Sequence, residues 1–318
     1  MGKRTIAILG GSGFIGSRLV KRLSTRSDLA LKIVDVKESR CFPQWYHHAD
    51  VTQLESLRQV LAGCDAVINL AATRQDKRRP RSLDYQVNVE GASNLCIVAA
   101  ELAIKQIVFT SSVAVYGAVE QGTGEEGPIA PVDRFGKSKR LAEFVYQAWH
   151  HAGVGNKLTI VRPTAVFGEG DRGNFYHLCR RIASGRYVMI GDGNNRQSMA
   201  YVENIAAHLE YVLDRQADYQ ISNYVDKPDL TMNQLIAGVT SALGREDKLI
   251  HIPYWSGMCG VALLDFAGKV SRHKFAISRA KVRKFCATAQ FTTHEPSHFV
   301  APVELNQAIE QTVMHEFD

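Results

Sequence analysis

The sequence has no long, uninterrupted apolar run. The first such run begins at Thr5 and ends after five residues at a glycine-rich turn, where a signal helix would continue. The stretch Ile252–Val270 is also apolar, but Pro253 opens it and Asp265 and Lys269 interrupt it. It therefore falls short of the roughly 20 apolar residues that a membrane-spanning helix needs. No membrane span is expected, and the sequence predicts a soluble, cytoplasmic protein.

Paired cysteines and a set of metal ligands are missing as well. The six cysteines are scattered, and no two of them form a C-x-x-C pair. This pattern favours free thiols in a reducing compartment over a disulfide framework. The pairs His47-His48 and His150-His151 have no accompanying ligand set, so no metal site is expected.

No long segment is depleted of apolar residues, which argues against widespread disorder. The 318 residues are 45% hydrophobic and 22% charged, which suits one large domain or two lobes that share a cleft. The formal net charge is +6. Nucleic-acid binding is not expected, because basic and aromatic residues are not interleaved. Anionic small molecules such as dinucleotides and sugar diphosphates fit the charge equally well.

Strands and helices alternate through the first half of the chain. Helices are predicted over Phe14–Leu23, Leu54–Leu61, 84–102 and 137–150. The predicted strands are short and aliphatic, over Thr5–Leu9, Leu31–Val34, Ala66–Leu70, Gln106–Phe109 and Lys157–Val161. The alternation predicts an α/β fold with a doubly wound parallel sheet of the Rossmann type. After Arg162-Pro163 the rhythm becomes irregular. We therefore predict a dinucleotide-binding domain over residues 1–165 and a smaller, discontinuous substrate-binding lobe over residues 166–318.

A glycine-rich turn separates the first strand from the first helix. Gly10, Gly13 and Gly16 give it a G-x-x-G-x-x-G spacing, with Phe14 and Ile15 at the start of the helix. Such a turn lets the backbone approach a pyrophosphate, and the helix N-terminus offers N–H groups to the phosphates. Asp35 follows Gly16 by 19 residues at the end of the second strand. A carboxylate there accepts hydrogen bonds from the adenosine ribose and repels a 2′-phosphate, which favours NAD over NADP.

These features resemble the extended short-chain dehydrogenase/reductase family, and further segments resemble it in the same order along the chain. Asp50-Val51 is similar to the pair that contacts adenine, and Leu70-Ala71-Ala72 to the segment that lies along the cofactor. Asn88–Gly91 resembles the family's Asn-Val-x-Gly motif. Ser112 stands where the family has its catalytic serine, and Pro163 where a proline flanks the nicotinamide. The resemblance implies NAD as cofactor.

The second half resembles nucleotide-sugar enzymes of the same family. Asn174 occupies the place of an Asn-bearing substrate segment, and Arg196 that of an arginine that binds the diphosphate. A planar guanidinium suits a diphosphate, because it can bind two of its oxygens. The alternative interpretation is that Arg196 is a solvent-exposed arginine in a loop. The segments Thr164–Glu203 and Arg283–Cys286 most resemble enzymes of bacterial surface-polysaccharide pathways.

One position departs from the family pattern. The family has a tyrosine followed four residues later by a lysine; this chain has Phe135 and Lys139. The resemblance implies that the tyrosine exchanges a proton with the sugar hydroxyl, while the lysine holds the nicotinamide ribose. Three explanations stay open: an introduced Tyr→Phe change, a natural residue with Ser112 or water moving the proton, or a chain that only binds.

The resemblance implies an enzyme that epimerises a nucleotide sugar, most naturally a UDP-sugar, at C4 with tightly held NAD. Ser112 would hydrogen-bond the sugar O4, and Phe135 would impair turnover. One alternative is reduction of a 4-keto nucleotide sugar, and another is an inactive module that binds NAD and nucleotide sugar. Family members are commonly homodimers, which predicts pairing through the helices near 84–102 and 137–150.

Overall fold

Seven parallel strands form the central sheet. The structure is a computed structural model that describes residues 2–73, 80, 82–117, 121–185, 187–245, 250–260, 279–294 and 299–317. In spatial order the strands are β10 (Tyr219–Tyr224), β6 (Lys157–Pro163), β5 (Gln106–Thr110), β4 (Ala66–Asn69), β1 (Arg4–Leu9), β2 (Leu29–Asp35) and β3 (Tyr46–His48). Every neighbouring pair is parallel. The predicted α/β class with a Rossmann-type sheet is confirmed.

The central strands are apolar on both faces because helices cover both. Ala7 and Leu9 of β1 belong to one core cluster, whereas Ile6 and Ile8 belong to the other. This division follows from the alternation of side chains along a strand. Consecutive apolar residues in β1 are therefore the sequence signature of a strand that is buried on both sides.

Among the described residues, six helices cover the sheet. On one face, α1 (Phe14–Leu23) packs against α7 (Val202–Arg215). On the other face lie α2 (Leu54–Leu61), α4 (Gly91–Glu101) and α5 (Arg134–Ala152), with the short α3 (Leu83–Tyr85) before α4. A π-helical turn, Gln86–Glu90, joins α3 to α4, so the helix predicted over 84–102 is not uniform. The bounds of α1 and α2 are those predicted.

The remaining elements form a smaller layer with its own apolar cluster. Its strands are β7 (Ala165–Phe167), β8 (Val188–Ile190), β9 (Arg196–Tyr201), β11 (Asp226–Thr231) and β12 (Ile250–Ile252). Its helices are α6 (Asn174–Ala183), α8 (Met232–Ala242), α9 (described over 254–260), α10 (Arg279–Cys286) and α11 (Leu305–Phe317). Because α7 and β10 return to the large sheet from beyond residue 165, the larger domain includes later residues too. The division at residue 165 stays a prediction.

Helix α5 starts earlier than the sequence predicts. Helix α5 begins at Arg134, three residues before the predicted start, because the Asp133 side chain accepts a hydrogen bond from the Gly136 N–H at 2.8 Å and caps the helix.

Within the described ranges, no helix is both long and apolar enough to cross a membrane. Most of the apolar stretch 252–270 lies outside the described residues.

Candidate cofactor and catalytic site

The glycine-rich turn packs too closely for side chains at three of its four glycines, among them Gly11, where a Cβ would lie 2.8 Å from the Ile8 backbone oxygen. Gly10 has φ +74°, and a Cβ there would lie 2.7 Å from the Ala71 nitrogen. A Cβ at Gly16 would lie 2.4 Å from the Gly10 oxygen. Gly13 differs: its φ is −77°, and a Cβ would meet only the Gly10 oxygen, at 3.0 Å. Gly10, Gly11 and Gly16 therefore shape the turn, whereas the space beside Gly13 is restricted by a single backbone oxygen.

The first turn of α1 faces the space beside Gly13, and no side chain accepts hydrogen bonds from its N–H groups as a cap. Gly13 is its N-cap, no side chain caps it, and no acidic residue lies in its first turn. The N–H groups at the start of a helix carry partial positive charge and accept an anion readily. Phe14 and Ile15, predicted to contact the cofactor, form this turn. The geometry fits a pyrophosphate.

Asp35 lies beside the same turn, at the end of β2. One carboxylate oxygen accepts a hydrogen bond from the Ser12 N–H at 3.2 Å, and the other from the Lys37 N–H at 3.0 Å. The negative charge is thus held next to the glycine turn. This is the position from which a carboxylate binds ribose hydroxyls and disfavours a 2′-phosphate.

The other predicted cofactor segments follow neighbouring strands. Asp50 comes after β3, and one of its oxygens accepts hydrogen bonds from the Thr52 N–H at 2.9 Å and hydroxyl at 2.8 Å. Val51 is buried against Gly91, where a Cβ would lie 2.8 Å from a Val51 methyl. Leu70, Ala71 and Ala72 follow β4, where the Ala71 N–H donates to the Asn69 side chain at 2.9 Å. Both segments lie at the carboxyl edge of the sheet, where α/β proteins bind ligands.

Three buried hydroxyls at this edge have no hydrogen-bond partner within the described part of the chain. They belong to Ser12 after β1, Thr110 at the end of β5 and Thr164 after β6. Buried polar groups are nearly always paired, so their shared position indicates a polar ligand. Pro163, predicted to flank the nicotinamide, is buried as the last residue of β6. The glycine turn, Asp35 and these hydroxyls together fit a dinucleotide.

The predicted catalytic positions come from β5 and α5. Ser112 follows β5, and its side-chain oxygen accepts a hydrogen bond from the Ala114 N–H at 3.2 Å. The first turn of α5 packs against this segment, since a Cβ at Gly136 would lie 2.3 Å from the Ala114 oxygen. Phe135 is half-buried in that turn. The packing thus brings the Phe135 turn next to the Ser112 segment.

Lys139 lies one helical turn beyond Phe135 and is 2% exposed. Its ammonium nitrogen donates a hydrogen bond to the Thr110 oxygen at 2.8 Å. The nitrogen is 4.7 Å from the centre of the Phe109 ring and 5.9 Å from that of Phe135. Burial lowers the pKa of Lys139 to about 7, although the negative charge of Glu143 opposes this change. Lys139 is thus close to position 135 and titrates near neutrality.

A buried ion pair beneath Lys139 was not predicted from the sequence. Glu143 is fully buried, and both of its oxygens accept hydrogen bonds from Arg162, each at 2.8 Å. The Ser111 hydroxyl donates to the same carboxylate at 2.6 Å. Arg162 also donates to the Tyr116 hydroxyl at 2.8 Å, which in turn donates to Asn223 at 2.8 Å. The Tyr116 hydroxyl is therefore occupied by hydrogen bonds within the protein.

The predicted substrate residues lie in the smaller layer. Asn174 is exposed at the start of α6. Arg196 opens β9, and its guanidinium donates a hydrogen bond to the Asp229 oxygen at 2.7 Å. A cavity of about 780 Å³ lies nearby, with Asn195, Tyr254 and Arg283 among its lining residues. Arg196 does not line it, so its role and that of Asn174 stay predictions.

The sequence and the fold match known proteins over nearly the whole chain. Residues 6–224 match the model of the NAD dependent epimerase/dehydratase family. The N-acetyl-alpha-D-glucosaminyl-diphospho-ditrans,octacis-undecaprenol 4-epimerase of Escherichia coli O157:H7 is 42% identical over 316 residues, which cover 98% of this chain and 95% of that protein. The UDP-glucose 4-epimerase of Vibrio cholerae is 27% identical over 265 residues, 79% of this chain and 80% of that protein. The crystal structure of the UDP-glucose 4-epimerase of Thermotoga maritima with UDP-glucose aligns with a TM-score of 0.76 at 19% identity, over 98% of both chains, which shows the same fold.

Proposed function

The chain belongs to the NAD-dependent epimerase/dehydratase family, and from this we propose that it is a 4-epimerase of an N-acetylhexosamine attached through a diphosphate to a polyprenol. One observation carries the proposal: the relative of 42% identity, matched almost end to end, is named as an epimerase of undecaprenyl diphosphate-linked N-acetylglucosamine. The predicted resemblance to the extended dehydrogenase/reductase group is confirmed, and NAD is the cofactor of this family.

We assign the following binding roles to the residues of this chain. When bound, NAD accepts and returns the hydrogen of the sugar C4 as hydride. The glycine turn and the first turn of α1 hold the pyrophosphate, and Asp35 holds the adenosine ribose. Lys139 holds the nicotinamide ribose, and Ser112 hydrogen-bonds the sugar O4. These roles are supported by the shared position of all four groups at the carboxyl edge of the sheet.

Phe135 leaves the proton of the C4 hydroxyl without a titratable acceptor at the family's usual position. Its ring keeps the shape of a tyrosine but has no hydroxyl. We therefore propose that the chain binds cofactor and substrate and turns over slowly. A positioned acid/base contributes about 10²–10⁴-fold to a rate, so its loss is large without being complete.

A nucleotide sugar is the second candidate substrate. A relative of 27% identity and a structural neighbour are both UDP-glucose 4-epimerases. Both candidates present a hexose on a diphosphate, so the sugar end of the site suits either one. They differ beyond the diphosphate, where one carries a nucleoside and the other a hydrocarbon chain.

The test offers each substrate separately to the protein and to Phe135→Tyr, with NAD present. The expected result is conversion of N-acetylglucosaminyl diphosphopolyprenol to its C4 epimer, measured by chromatography of the released sugar, and none of UDP-N-acetylglucosamine. Conversion of the UDP-sugar alone would replace the first candidate by the second. In a separate reaction with added NADH and a 4-keto nucleotide sugar, consumption of NADH in proportion to the 4-keto substrate would indicate a reductase. Binding without turnover in both proteins would indicate a binding module.

Location and assembly are proposals as well. A cytoplasmic location is supported by the cysteines, since all six are free thiols, as in a reducing compartment. A homodimer is supported by exposed apolar side chains on two helices that pack together: Ile97 on α4, and Leu141 and Phe144 on α5. Apolar side chains grouped on neighbouring helices are typical of a protein interface.

A further inference from the structure

Four exposed apolar side chains lie together on the smaller layer, at Val188, Ile250, Tyr254 and Trp255. We call them the apolar rim. Trp255 is 71% exposed and Ile250 64%. Single exposed apolar residues are normal on protein surfaces, but a contiguous group that includes an exposed tryptophan marks an interaction site.

The backbone fixes the rim in place. Val188 and Ile250 are direct partners in the parallel pairing of β8 with β12, so their side chains project on the same side of this small sheet. Helix α9 starts at residue 254, immediately after β12, and carries Tyr254 and Trp255 in its first turn. Gly257 packs α9 onto Ile190 of β8, since a Cβ there would lie 2.6 Å from an Ile190 methyl. The four side chains therefore belong to the β8–β12 sheet and to the helix that packs on it.

The rim borders the cavity of about 780 Å³. Tyr254 belongs to both, and Pro253 and Ile252 line the cavity just before it. Arg283 lines the same cavity and is exposed. A molecule that reaches the rim thus meets the opening of a cavity that has the Arg283 guanidinium and the Asp192 carboxylate in its wall.

Positive charge lies beside the rim. Arg180 and Arg181 are exposed in the last turn of α6, eight and seven residues before Val188, the first residue of β8. The Arg245 guanidinium donates a hydrogen bond to the Ile182 oxygen at 3.5 Å, which holds it at the same end of α6. The whole sequence has a net charge of +6. This end of the smaller layer therefore complements an anionic surface.

We propose that the apolar rim docks onto the surface of a phospholipid bilayer that carries anionic headgroups. Tryptophan and tyrosine favour the boundary between headgroups and acyl chains, and aliphatic side chains beside them add apolar area. Nearby arginines are attracted by anionic lipids. The inference rests on the proposed function, because a polyprenol stays in the bilayer and its sugar diphosphate must be taken up at that surface.

The test measures binding of the full-length protein to vesicles of phosphatidylcholine with phosphatidylglycerol, by co-sedimentation. The protein should bind, and Trp255→Glu should weaken the partition at least tenfold. Val154→Glu is the matched control, because Val154 is 97% exposed in the loop after α5 and lies outside the rim. Vesicles of phosphatidylcholine alone should bind less, since they lack the anionic headgroups. Equal binding by Trp255→Glu and Val154→Glu, or no binding by the unchanged protein, would overturn the proposal.

Two further measurements separate this proposal from others. Ile250→Ser, a milder change, should weaken vesicle binding while the thermal unfolding midpoint stays unchanged, so that misfolding cannot account for the loss. Epimerisation of the polyprenyl substrate in detergent should be the same for Trp255→Glu and the unchanged protein. Vesicle binding without such epimerisation would reject the proposed function alone. If Trp255→Glu instead changes the molecular mass in solution without vesicles, the rim joins two copies of the chain and the docking proposal fails.

Discussion

Phe135→Tyr is the change that tests the candidate site most directly. It adds one hydroxyl to a half-buried ring in the first turn of α5, next to the segment that carries Ser112. The backbone there already packs closely, through Gly136 against Ala114, and the ring plane need not move. The new oxygen would extend from the ring whose centre is 5.9 Å from the Lys139 nitrogen.

The expected gain in turnover is about 10²–10⁴-fold, which corresponds to roughly 3–5 kcal/mol in the activation free energy. The added group, ionised to its phenolate, would accept the proton of the sugar O4 as hydride leaves C4, and would thereby become a neutral phenol. A protonated Lys139 nearby favours the phenolate and so lowers the pKa of the added group. Substrate affinity should change little, because the ring already fills the space.

The assay is single-turnover and steady-state epimerisation with saturating NAD, together with a calorimetric measurement of substrate binding. Phe144→Tyr is the matched control, since it makes the same change on the same helix at a side chain that is 52% exposed. It should leave the rate constant for turnover unchanged. Equal rates for Phe135→Tyr and the unchanged protein would refute the reasoning, and Ser112 would then be the first group to examine as the proton carrier.

Three other predictions follow from the structure. Asp35→Ala should narrow the preference for NAD over NADP, measured as the ratio of the two dissociation constants; equal or tighter NADP binding by the unchanged protein would contradict it. Gly13→Val should abolish NAD binding with little loss of folding, because Gly13 has an ordinary φ and a Cβ there meets only the Gly10 oxygen, at 3.0 Å. Gly16→Val, where the same oxygen would lie 2.4 Å from the Cβ, should reduce the yield of folded protein, as judged by circular dichroism. His208 is buried, which lowers its pKa to about 3, so the unfolded chain binds its proton first on acidification. As the pH falls from 6.5 to 3, this group should lower the free energy of unfolding by up to about 1.4 kcal/mol per pH unit. Chemical denaturation of His208→Phe should show a weaker dependence of the unfolding free energy on pH.

The sequence predicted the elements around the glycine turn well because local and tertiary signals agree there. Helix α1 begins directly after Gly13 and ends at Leu23, as predicted. The glycines end the apolar run at a defined point, and a short apolar run of this kind is typical of a strand that is buried on both faces. The parallel order of the sheet followed from the alternation of elements.

Other elements were missed for identifiable reasons. Strand β3 is three residues long and polar, at the edge of the sheet, and has no periodic pattern of its own. The early start of α5 could have been found, since Asp133 is a capping residue immediately before it. The π-helical turn Gln86–Glu90 leaves no signal in the spacing of apolar residues, because the helix continues on both sides.

The buried pair Glu143–Arg162 explains why a single residue can depart from the family pattern while the site stays intact. Phe135, Lys139 and Glu143 are spaced four residues apart on one face of α5. A fully buried carboxylate is costly unless it is paired, and Arg162 from β6 and the Ser111 hydroxyl supply its partners. These contacts anchor the helix to the sheet through groups that do not touch residue 135. Nothing in the arrangement of Lys139 depends on a hydroxyl at position 135, since its hydrogen bond goes to the Thr110 oxygen. On the proposed role of residue 135 as the acid/base position, the contacts of Lys139 and Glu143 are in place without a hydroxyl there, so we expect the single substitution Phe135→Tyr to restore turnover.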